Sequence, residues 1–539
     1  MADEVKNTKE IKLSKLTQAL LTNFTAIKKK TKPDDHSRLT VSQTVSFFAI
    51  VYERIRNAVE YREEHLIRRS AIERILKRRL ILNPAGRGEA ENLLRELLWA
   101  RYFEEGSLGV VDIERVQKMI DQYVLLRTRI TTGQVNEKKA YYTQFLFDLL
   151  TCEIEEALDP EDAQTNLLFT SYLYQVLRQR FKIEKTTEEH KDAFLYVATE
   201  RAFAKSDAAY LRYHLFNLSY KPLSEITADE TSRLLADIPA TFLKIENIIK
   251  NPFVDRLTKY VKRQMPSFLV LFNIMMRNPG SVEAVLTSKD ALWQQVDTIC
   301  REKYQQTSGR LRNLAVRSLI YIFLTKMLLA LILEYPLSLY LFNEVNYFAI
   351  AVNSLFPPLL MMVIILFVRI PGEENTRRIN SNIIDIVDAD QSFEKDVAYV
   401  VKAPRVRKPV LVFGFTIFYS LTFLITLGII YEVLTLLNFN YISDLLFIFF
   451  VSVVSFFGYR VAQIAKEYRL PKKESFFTPF ADFFFMPILS LGKFFSSEIA
   501  RLNFFIVVLD FLIEAPFKLI FEVVEEWIAF VRARKEEII

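Results

Sequence analysis

Four long apolar runs, separated by short connections and one charged loop, dominate the second half of the chain. A helix rises about 1.5 Å per residue, so roughly twenty mainly apolar residues cross the hydrocarbon core of a bilayer. Each run is at least that long. The pattern therefore predicts a membrane domain at 319–470 with four spanning helices, at 319–342, 347–368, 410–437 and 441–464.

The charges that flank the runs predict how the spans are oriented. The connections 343–346 and 438–440 contain no Lys or Arg, whereas basic residues are frequent before the first run, between the second and third, and after the fourth. Basic flanks stay on the cytoplasmic side of a membrane. We therefore expect two tight helical hairpins, a cytoplasmic loop at 369–409 and both termini in the cytoplasm.

Upstream of the spans, apolar residues recur at steps of three and four, the period of amphipathic helices. The first residues lack the apolar core of a signal peptide. We expect a basic amphipathic helix at 1–36 and a cytoplasmic bundle of long helices at 37–220, beginning with a coiled-coil-like arm. A shorter-helix module at 221–318 should follow, in which prolines interrupt the helices. These prolines are Pro222, Pro239, Pro252, Pro266 and Pro279.

The composition agrees with a helical chain. Only 12 of 539 residues are Gly, a balance that favours long helices over sheets and tight turns. The expected fold is all-α: a cytoplasmic helical bundle, a polytopic membrane domain and amphipathic C-terminal helices. Cys152 and Cys300 lie far apart and are expected to be buried thiols. The net charge of +6 is too small to indicate nucleic-acid binding by itself.

Motifs for catalysis and cofactor binding are missing from the sequence. It has no phosphate-binding glycine loop, and Gly86-Arg87-Gly88 lacks the third glycine of a dinucleotide site. The four histidines have neither the spacing of a zinc protease nor cysteine partners. We therefore predict no catalytic residue, no metal site and no cofactor.

Polar residues inside the spans are the first candidate site. They are Lys326, Glu334, Asn353, Glu432 and Asp444. Charges at membrane depth indicate either an ion or proton pathway or a structural role, in which each pairs with a neighbouring span or reaches the interface. Lys326 and Glu334 are eight residues apart, a rotation of roughly 80° beyond two helical turns, so we expect no direct pair between them. Pro357-Pro358 should kink the second span.

A basic stretch in the N-terminal half is the second candidate. It consists of Arg68, Arg69, Arg74, Lys77, Arg78 and Arg79. Such a face either docks to phosphates of lipid or another anionic partner, or is a solvated helix face. Nucleic acid is an unlikely ligand because stacking aromatic platforms are not evident. In the charged loop, the β-branched runs 383–387 and 398–401 allow a small β-hairpin.

The tail at 471–539 combines apolar residues with charges at helical spacing. Asp510, Glu514, Lys518 and Glu522 recur every four residues and form one charged edge. Crossing the membrane would bury the central charges at about 2.5–3.5 kcal/mol each. We expect interfacial amphipathic helices at 475–527, lying flat on the cytoplasmic membrane surface.

The sequence leaves three functions open. A membrane-anchored cytoplasmic helical scaffold is the leading hypothesis, with the lipid bilayer and a protein as partners. A small transporter or channel, built as a homo-oligomer around the intramembrane charges, is the alternative. A lipid-processing membrane enzyme comes last, because no catalytic motif supports it.

Overall fold

The computed structural model of the chain describes residues 10–29, 39, 63–183, 188–226, 228–342, 345–388, 399–401, 409–471 and 478–501. The fold is all-α, as predicted, apart from two three-residue strands. The first part of the coiled-coil-like pattern, 41–59, lies outside the described residues, and its continuation through Leu66, Ile72 and Leu76 is buried in the helix Glu64–Leu82. The charged edge of Asp510, Glu514, Lys518 and Glu522 also lies outside the described residues.

Eleven helices among the described residues precede the first apolar run. They are α1 Lys15–Lys29, α2 Glu64–Leu82, α3 Glu89–Trp99, α4 Val110–Thr131, α5 Asn136–Leu158, α6 Pro160–Arg180, α7 Glu188–Ala202, α8 Ala208–Asn217, α9 Ala228–Ile249, α10 Pro252–Arg277 and α11 Val282–Thr287. Strand β1, Phe181–Ile183, follows α6, and a 3-10 turn lies at Leu223–Glu225. We call these helices together the N-terminal body.

Apolar side chains of the N-terminal body form one continuous core. Phe145 on α5 and Phe242 on α9 are buried in it, and their stacked rings lie 3.6 Å apart between centroids. Phe145 belongs to the predicted unit 37–220, and Phe242 belongs to the predicted unit 221–318. The core is therefore shared across the expected boundary near residue 220.

The prediction that prolines divide 221–318 into short helices is wrong. Pro239 lies inside α9 and Pro266 lies inside α10, helices of 22 and 26 residues. A proline inside a helix costs about 3 kcal/mol through its lost hydrogen bond and its ring clash. Pro266 is buried in the core, where apolar contacts offset that cost. Pro252 occupies the first turn of α10, where its missing N–H is harmless.

Four helices among the described residues are long and apolar enough to cross a membrane, as predicted. The first is a single helix of 53 residues, Lys289–Leu341, which we call the stalk helix. It contains α12 Lys289–Leu329, a π-helical segment Ala330–Glu334 and α13 Tyr335–Phe342, which continues one residue beyond Leu341. The other three are α14 Tyr347–Leu366, α16 Pro409–Leu436 and α17 Tyr441–Ile464. At about 1.5 Å per residue, the stalk helix is about 80 Å long.

The charged loop between the second and third spans packs on the N-terminal body. Its helix α15, Glu373–Val387, buries Ile379, Ile383 and Ile386 in the same core. The predicted hairpin is wrong because these isoleucines recur at helical spacing and line one face of α15. Strand β2, Tyr399–Val401, pairs instead in parallel with β1, placing Phe181 opposite Tyr399.

The last described helix, α18 Thr478–Arg501, packs antiparallel against α17. A Cβ atom on Gly492 would collide with the carbonyl oxygen of Ser452, halfway along α17. The rings of Phe495 and Phe449 also meet, 4.9 Å apart between centroids. The sequence predicts that this helix lies flat on the membrane surface. A contact halfway along an apolar helix that is long enough to span does not fit that prediction. The placement of residues 502–527 stays a prediction, since they lie outside the described residues.

Candidate functional site

Three of the predicted intramembrane residues form one buried polar cluster. Glu334 Oε2 accepts a hydrogen bond from Lys326 Nζ at 3.3 Å, and Glu334 Oε1 accepts one from Asn353 Nδ2 at 2.7 Å. Ser443 Oγ donates a third, at 2.6 Å. Lys326, Glu334 and Asn353 have no exposed surface, and Ser443 is also buried. The cluster therefore ties the stalk helix to α14 and α17 through one carboxylate.

The expectation that Lys326 and Glu334 do not pair is wrong, because the stalk helix is not regular between them. The segment Ala330–Glu334 is π-helical. A π-turn closes its hydrogen bond one residue later than an α-turn, so it takes up about one more residue. Eight residues then make roughly two full turns instead of two turns and 80°. The π-turn brings Glu334 back to the face of Lys326.

The proline pair lies next to this cluster. Pro357 has no N–H to donate to the backbone carbonyl of Asn353, four residues earlier. The side-chain Oδ1 of Asn353 is buried and has no hydrogen-bond partner among the described residues. Asn353 Nδ2 also donates to the Ser443 carbonyl oxygen at 3.2 Å. The backbone carbonyl oxygen and the side-chain Oδ1 of Asn353 are therefore two acceptors inside the spans that lack strong hydrogen bonds.

The turns of the two hairpins are joined close to the cluster. Asn346 Nδ2 donates to the carbonyl oxygen of Asn438 at 2.9 Å, and Asn440 Nδ2 donates to Ser338 Oγ at 2.9 Å. Asn440 Oδ1 also caps α17 by accepting from the Ser443 N–H. Ser443 and Asn440 are not among the residues predicted from the sequence. Their signal is an asparagine cap followed three residues later by a serine at the start of an apolar run.

The other two predicted residues lie apart from the cluster. Asp444 is buried, but its Oδ1 has no hydrogen-bond partner among the described residues. Glu432 is exposed on α16. What the cluster does chemically is to keep a carboxylate and an ammonium together in a dry interior, where two opposite charges cost less than either alone.

The predicted basic patch on α2 is largely neutralised by neighbouring acids. Arg68 and Arg69 are buried, and Arg68 Nε donates to Glu155 Oε1 at 2.8 Å. The other contacts are Arg69 to Glu73 and Asp207, Lys77 to Glu73, and both Arg78 and Arg79 to Glu96. Arg74 is half-buried on the same helix. These pairs hold the N-terminal body together and leave little free charge for a membrane or another anionic partner.

A cavity of about 410 Å³ lies where the N-terminal body meets the stalk helix. The body contributes Asp162, Thr170, Lys205 and His214 to its wall, the stalk helix contributes Lys303 and Arg310, and the segment after α17 contributes Tyr468. The sequence does not predict this cavity, because its lining comes from distant segments of the chain. The sequence feature that points to this cavity is the seven-residue spacing of Lys303 and Arg310, which places both cations on one face of the helix.

His214 lies beside the cavity, between two carboxylates. Its Nε2 lies 2.8 Å from Glu156 Oε1, and its Nδ1 lies 3.2 Å from Glu200 Oε1. Burial lowers the pKa of His214, but the two carboxylates outweigh this effect and raise the pKa to about 10. His214 is therefore charged at neutral pH and neutralises part of the acidic wall.

Comparisons of the chain with protein-family models, curated proteins and solved structures give no match. Among the residues that the structure describes, no group of three or more His, Cys, Asp or Glu is placed to hold a metal ion.

Proposed function

We propose that this protein is a membrane-anchored helical platform, in which the apolar helices hold the N-terminal body at the cytoplasmic face of a membrane for a protein partner. The observation that carries the proposal is the joint between the two parts. The stalk helix runs unbroken from the body into the first span, and α15 buries its apolar face in the core of the body. A body held by both connections keeps a fixed orientation to the bilayer.

The distribution of charge supports a cytoplasmic location for the body. Basic residues flank the spans on the side of the body, and the two hairpin turns contain none. Cys152 and Cys300 are both buried free thiols. Free thiols agree with a reducing compartment.

The end of α2 that points away from the membrane junction offers a docking surface. Lys205 forms ion pairs with Glu63, directly before α2, and with Glu467, which follows the last span. Helix α2 therefore begins at the junction between the body and the spans. Its 19 residues extend about 28 Å to Ile81 and Leu82. Ile81 is 74% and Leu82 is 80% exposed, and Val135 at the start of α5 is 72% exposed. We call these three residues the distal patch.

The three side chains of the distal patch lie at the same end of the body. Helix α5 runs antiparallel to α2, since Arg68 pairs with Glu155 and Lys77 lies over the ring of Phe147. The start of α5 therefore lies beside the end of α2. Exposed large aliphatic side chains grouped in this way are typical of protein contact surfaces.

Co-isolation of the full-length protein from its native membranes tests the proposal. The wild type is compared with Ile81→Gln/Leu82→Gln and with the matched control Val110→Gln/Val111→Gln. Val110 and Val111 are also exposed but lie at the other end of α4, next to the C-terminus of α5. We expect a partner that is enriched with the wild type and the control and reduced about tenfold with the distal-patch variant. Equal recovery with all three proteins would contradict the docking surface.

The intramembrane cluster favours a second candidate, a small oligomeric transporter. A buried ion pair beside a freed backbone carbonyl is a common element of ion and proton pathways. Proteoliposome flux measurements on the wild type and Glu334→Gln distinguish the two functions. The platform requires no flux, whereas flux that Glu334→Gln abolishes would establish transport.

A further inference from the structure

The cavity between the N-terminal body and the stalk helix has an uneven distribution of charge. Most carboxylates on the side of the body have a cationic partner, and Lys205 and His214 are each shared by two of them. Glu155 accepts from Arg68 and from Tyr210, Glu156 and Glu200 face His214, and Lys205 bridges Glu63 and Glu467. Burial, together with the charge of Asp159, raises the pKa of Asp162. This side of the cavity therefore repels an anion less than its composition suggests.

The stalk side is positive. Lys303 and Arg310 are seven residues apart, which is about two helical turns, so both project from one face of the stalk helix into the cavity. The described residues place no carboxylate within ion-pair distance of either cation. Lys303 instead lies 5.9 Å from the ring centroid of Tyr468, opposite the helix. Two long cationic side chains thus line one wall, and an anion between them would be bound by both.

Thr170 provides an independent sign of a missing ligand. Its hydroxyl is buried and has no hydrogen-bond partner among the described residues, and the residue lines the same cavity. A buried hydroxyl without a partner is costly, and a bound ligand would satisfy it.

We infer that the cavity binds a small molecule that carries a phosphate group, held by Lys303 and Arg310 and reached by the hydroxyl of Thr170. Charge decides between a phosphate and a carboxylate. A phosphate monoester carries about −1.5 to −2 charges at pH 7 and balances both cations, whereas one carboxylate balances only one. The volume of about 410 Å³ is within the usual range for small-molecule sites and leaves room for the rest of such a molecule.

The position of the cavity favours a soluble ligand over a lipid headgroup. Arg310 lies nine residues before Leu319, about 13 Å along the stalk helix from the start of the apolar run. The headgroup layer on each side of a bilayer is only about 5–8 Å thick. A phosphate at Arg310 is therefore beyond the headgroups of a flat bilayer.

Isothermal titration calorimetry on the full chain in phosphatidylcholine nanodiscs tests this inference, with inorganic phosphate and glycerol 3-phosphate as probes. We expect saturable binding to the wild type and a loss of affinity of about tenfold or more for Lys303→Gln/Arg310→Gln. Thr170→Val should weaken binding by less. The control is Arg301→Gln, which removes a cation from the same helix that is paired with Asp297 and does not line the cavity.

Each outcome decides one part of the inference. The absence of saturable binding of either probe to the wild type would overturn the inference. Equal weakening of binding by Arg301→Gln would also overturn it, because Arg301 does not line the cavity and binding would then not depend on the cavity. Binding detected only with nanodiscs that contain phosphatidic acid, by native mass spectrometry, would overturn the soluble source. Unchanged melting temperatures are expected for the double variant, since both side chains are outside the core. The distal patch is not involved, so this test is independent of the platform.

Discussion

Buried charges in this protein are matched by partners from distant segments of the chain. His214 faces Glu156 and Glu200, Arg212 pairs with both Asp148 and Glu246, and Glu153 accepts from the backbone N–H groups of Leu223 and Ser224. Removing one partner of such a pair is costly because the other charge stays buried. Single substitutions at these positions therefore report directly on the structure.

The first residue-scale prediction concerns pH. The folded-state pKa of His214 is about 10, above its ordinary value of 6.5. A raised pKa contributes stability that is fully present below pH 6.5 and is lost as the pH rises through about 10. At 1.36 kcal/mol per pKa unit, the contribution is at most about 4–5 kcal/mol. Denaturant unfolding between pH 6.5 and 10 should show a falling stability in the wild type and a flatter curve in His214→Gln.

The control for this experiment is His190→Gln, which changes an exposed histidine on α7. Its curve should run parallel to that of the wild type. Parallel curves for wild type and His214→Gln would show that His214 does not hold its proton more tightly in the folded state.

The second prediction concerns the intramembrane ion pair. Lys326→Met and Glu334→Gln should each insert normally but lower the free energy of unfolding, by up to about 3–5 kcal/mol, because each leaves a buried charge without its counterion. In the double variant the losses should not add, with a coupling energy of roughly 0.5–3 kcal/mol. Unfolding in bicelles measures all four proteins. Glu432→Gln, at an exposed acid, is the control, and strictly additive losses would argue against the pair.

At this scale the sequence picks out three residues of the intramembrane cluster but not their contacts. Lys326, Glu334 and Asn353 stand out because polar groups are rare in apolar runs. That Lys326 reaches Glu334 depends on a π-turn, which has no simple sequence signal. The charges of α2 were visible too, but the acids that neutralise them, such as Glu155 and Glu96, come from other helices.

Among the elements, the π-helical segment of the stalk helix has the clearest consequence. Deleting Ile332, an exposed residue within it, should restore a regular α-helix and leave seven residues from Lys326 to Glu334, about 20° short of two turns. The pair then survives, and the melting temperature should stay close to that of the wild type. Deleting Leu333 as well leaves six residues, about 120° short, and should separate the pair. Equal destabilisation by both deletions would rule out this role of the π-turn.

The packing of α18 on α17 gives the next element-scale prediction. Gly492 lets the two backbones approach closely, a common use of small residues between membrane helices. Gly492→Leu should therefore force α18 away from Ser452 and lower the melting temperature in detergent. Gly414→Leu is a matched control, since nothing lies within 4 Å of Gly414 on α16. If both variants melt together with the wild type, α18 does not pack there.

Elements were predictable where one signal dominated. Apolar runs of more than twenty residues fix the spans, because in a bilayer only a helix can satisfy the backbone. Pro239 and Pro266 do not end helices as predicted, because core packing outweighs the intrinsic cost of a proline inside a helix. For α18, the mixed apolar and charged pattern suits a membrane surface and a crowded helix bundle equally well, and only the neighbouring α17 decides.

At the scale of the whole molecule, one long helix and one docked loop join the apolar helices to the N-terminal body. The stalk helix supplies Leu292, Val296 and Ile299 to the core of the body and Lys326 to the cluster within the spans. Helix α2 begins at the junction with the spans, and the distal patch lies at its other end. The arrangement suits a platform that presents a partner at a set distance from the membrane.

The most direct test of this platform is photo-crosslinking in living cells, with a photoreactive amino acid placed at Leu82 in the full-length protein. We expect a discrete adduct with one partner protein at Leu82 and none at Val111, which is exposed at the other end of α4. The adduct should disappear when Ile81 is changed to Gln. No adduct at Leu82, or the same adducts at both positions, would contradict the platform.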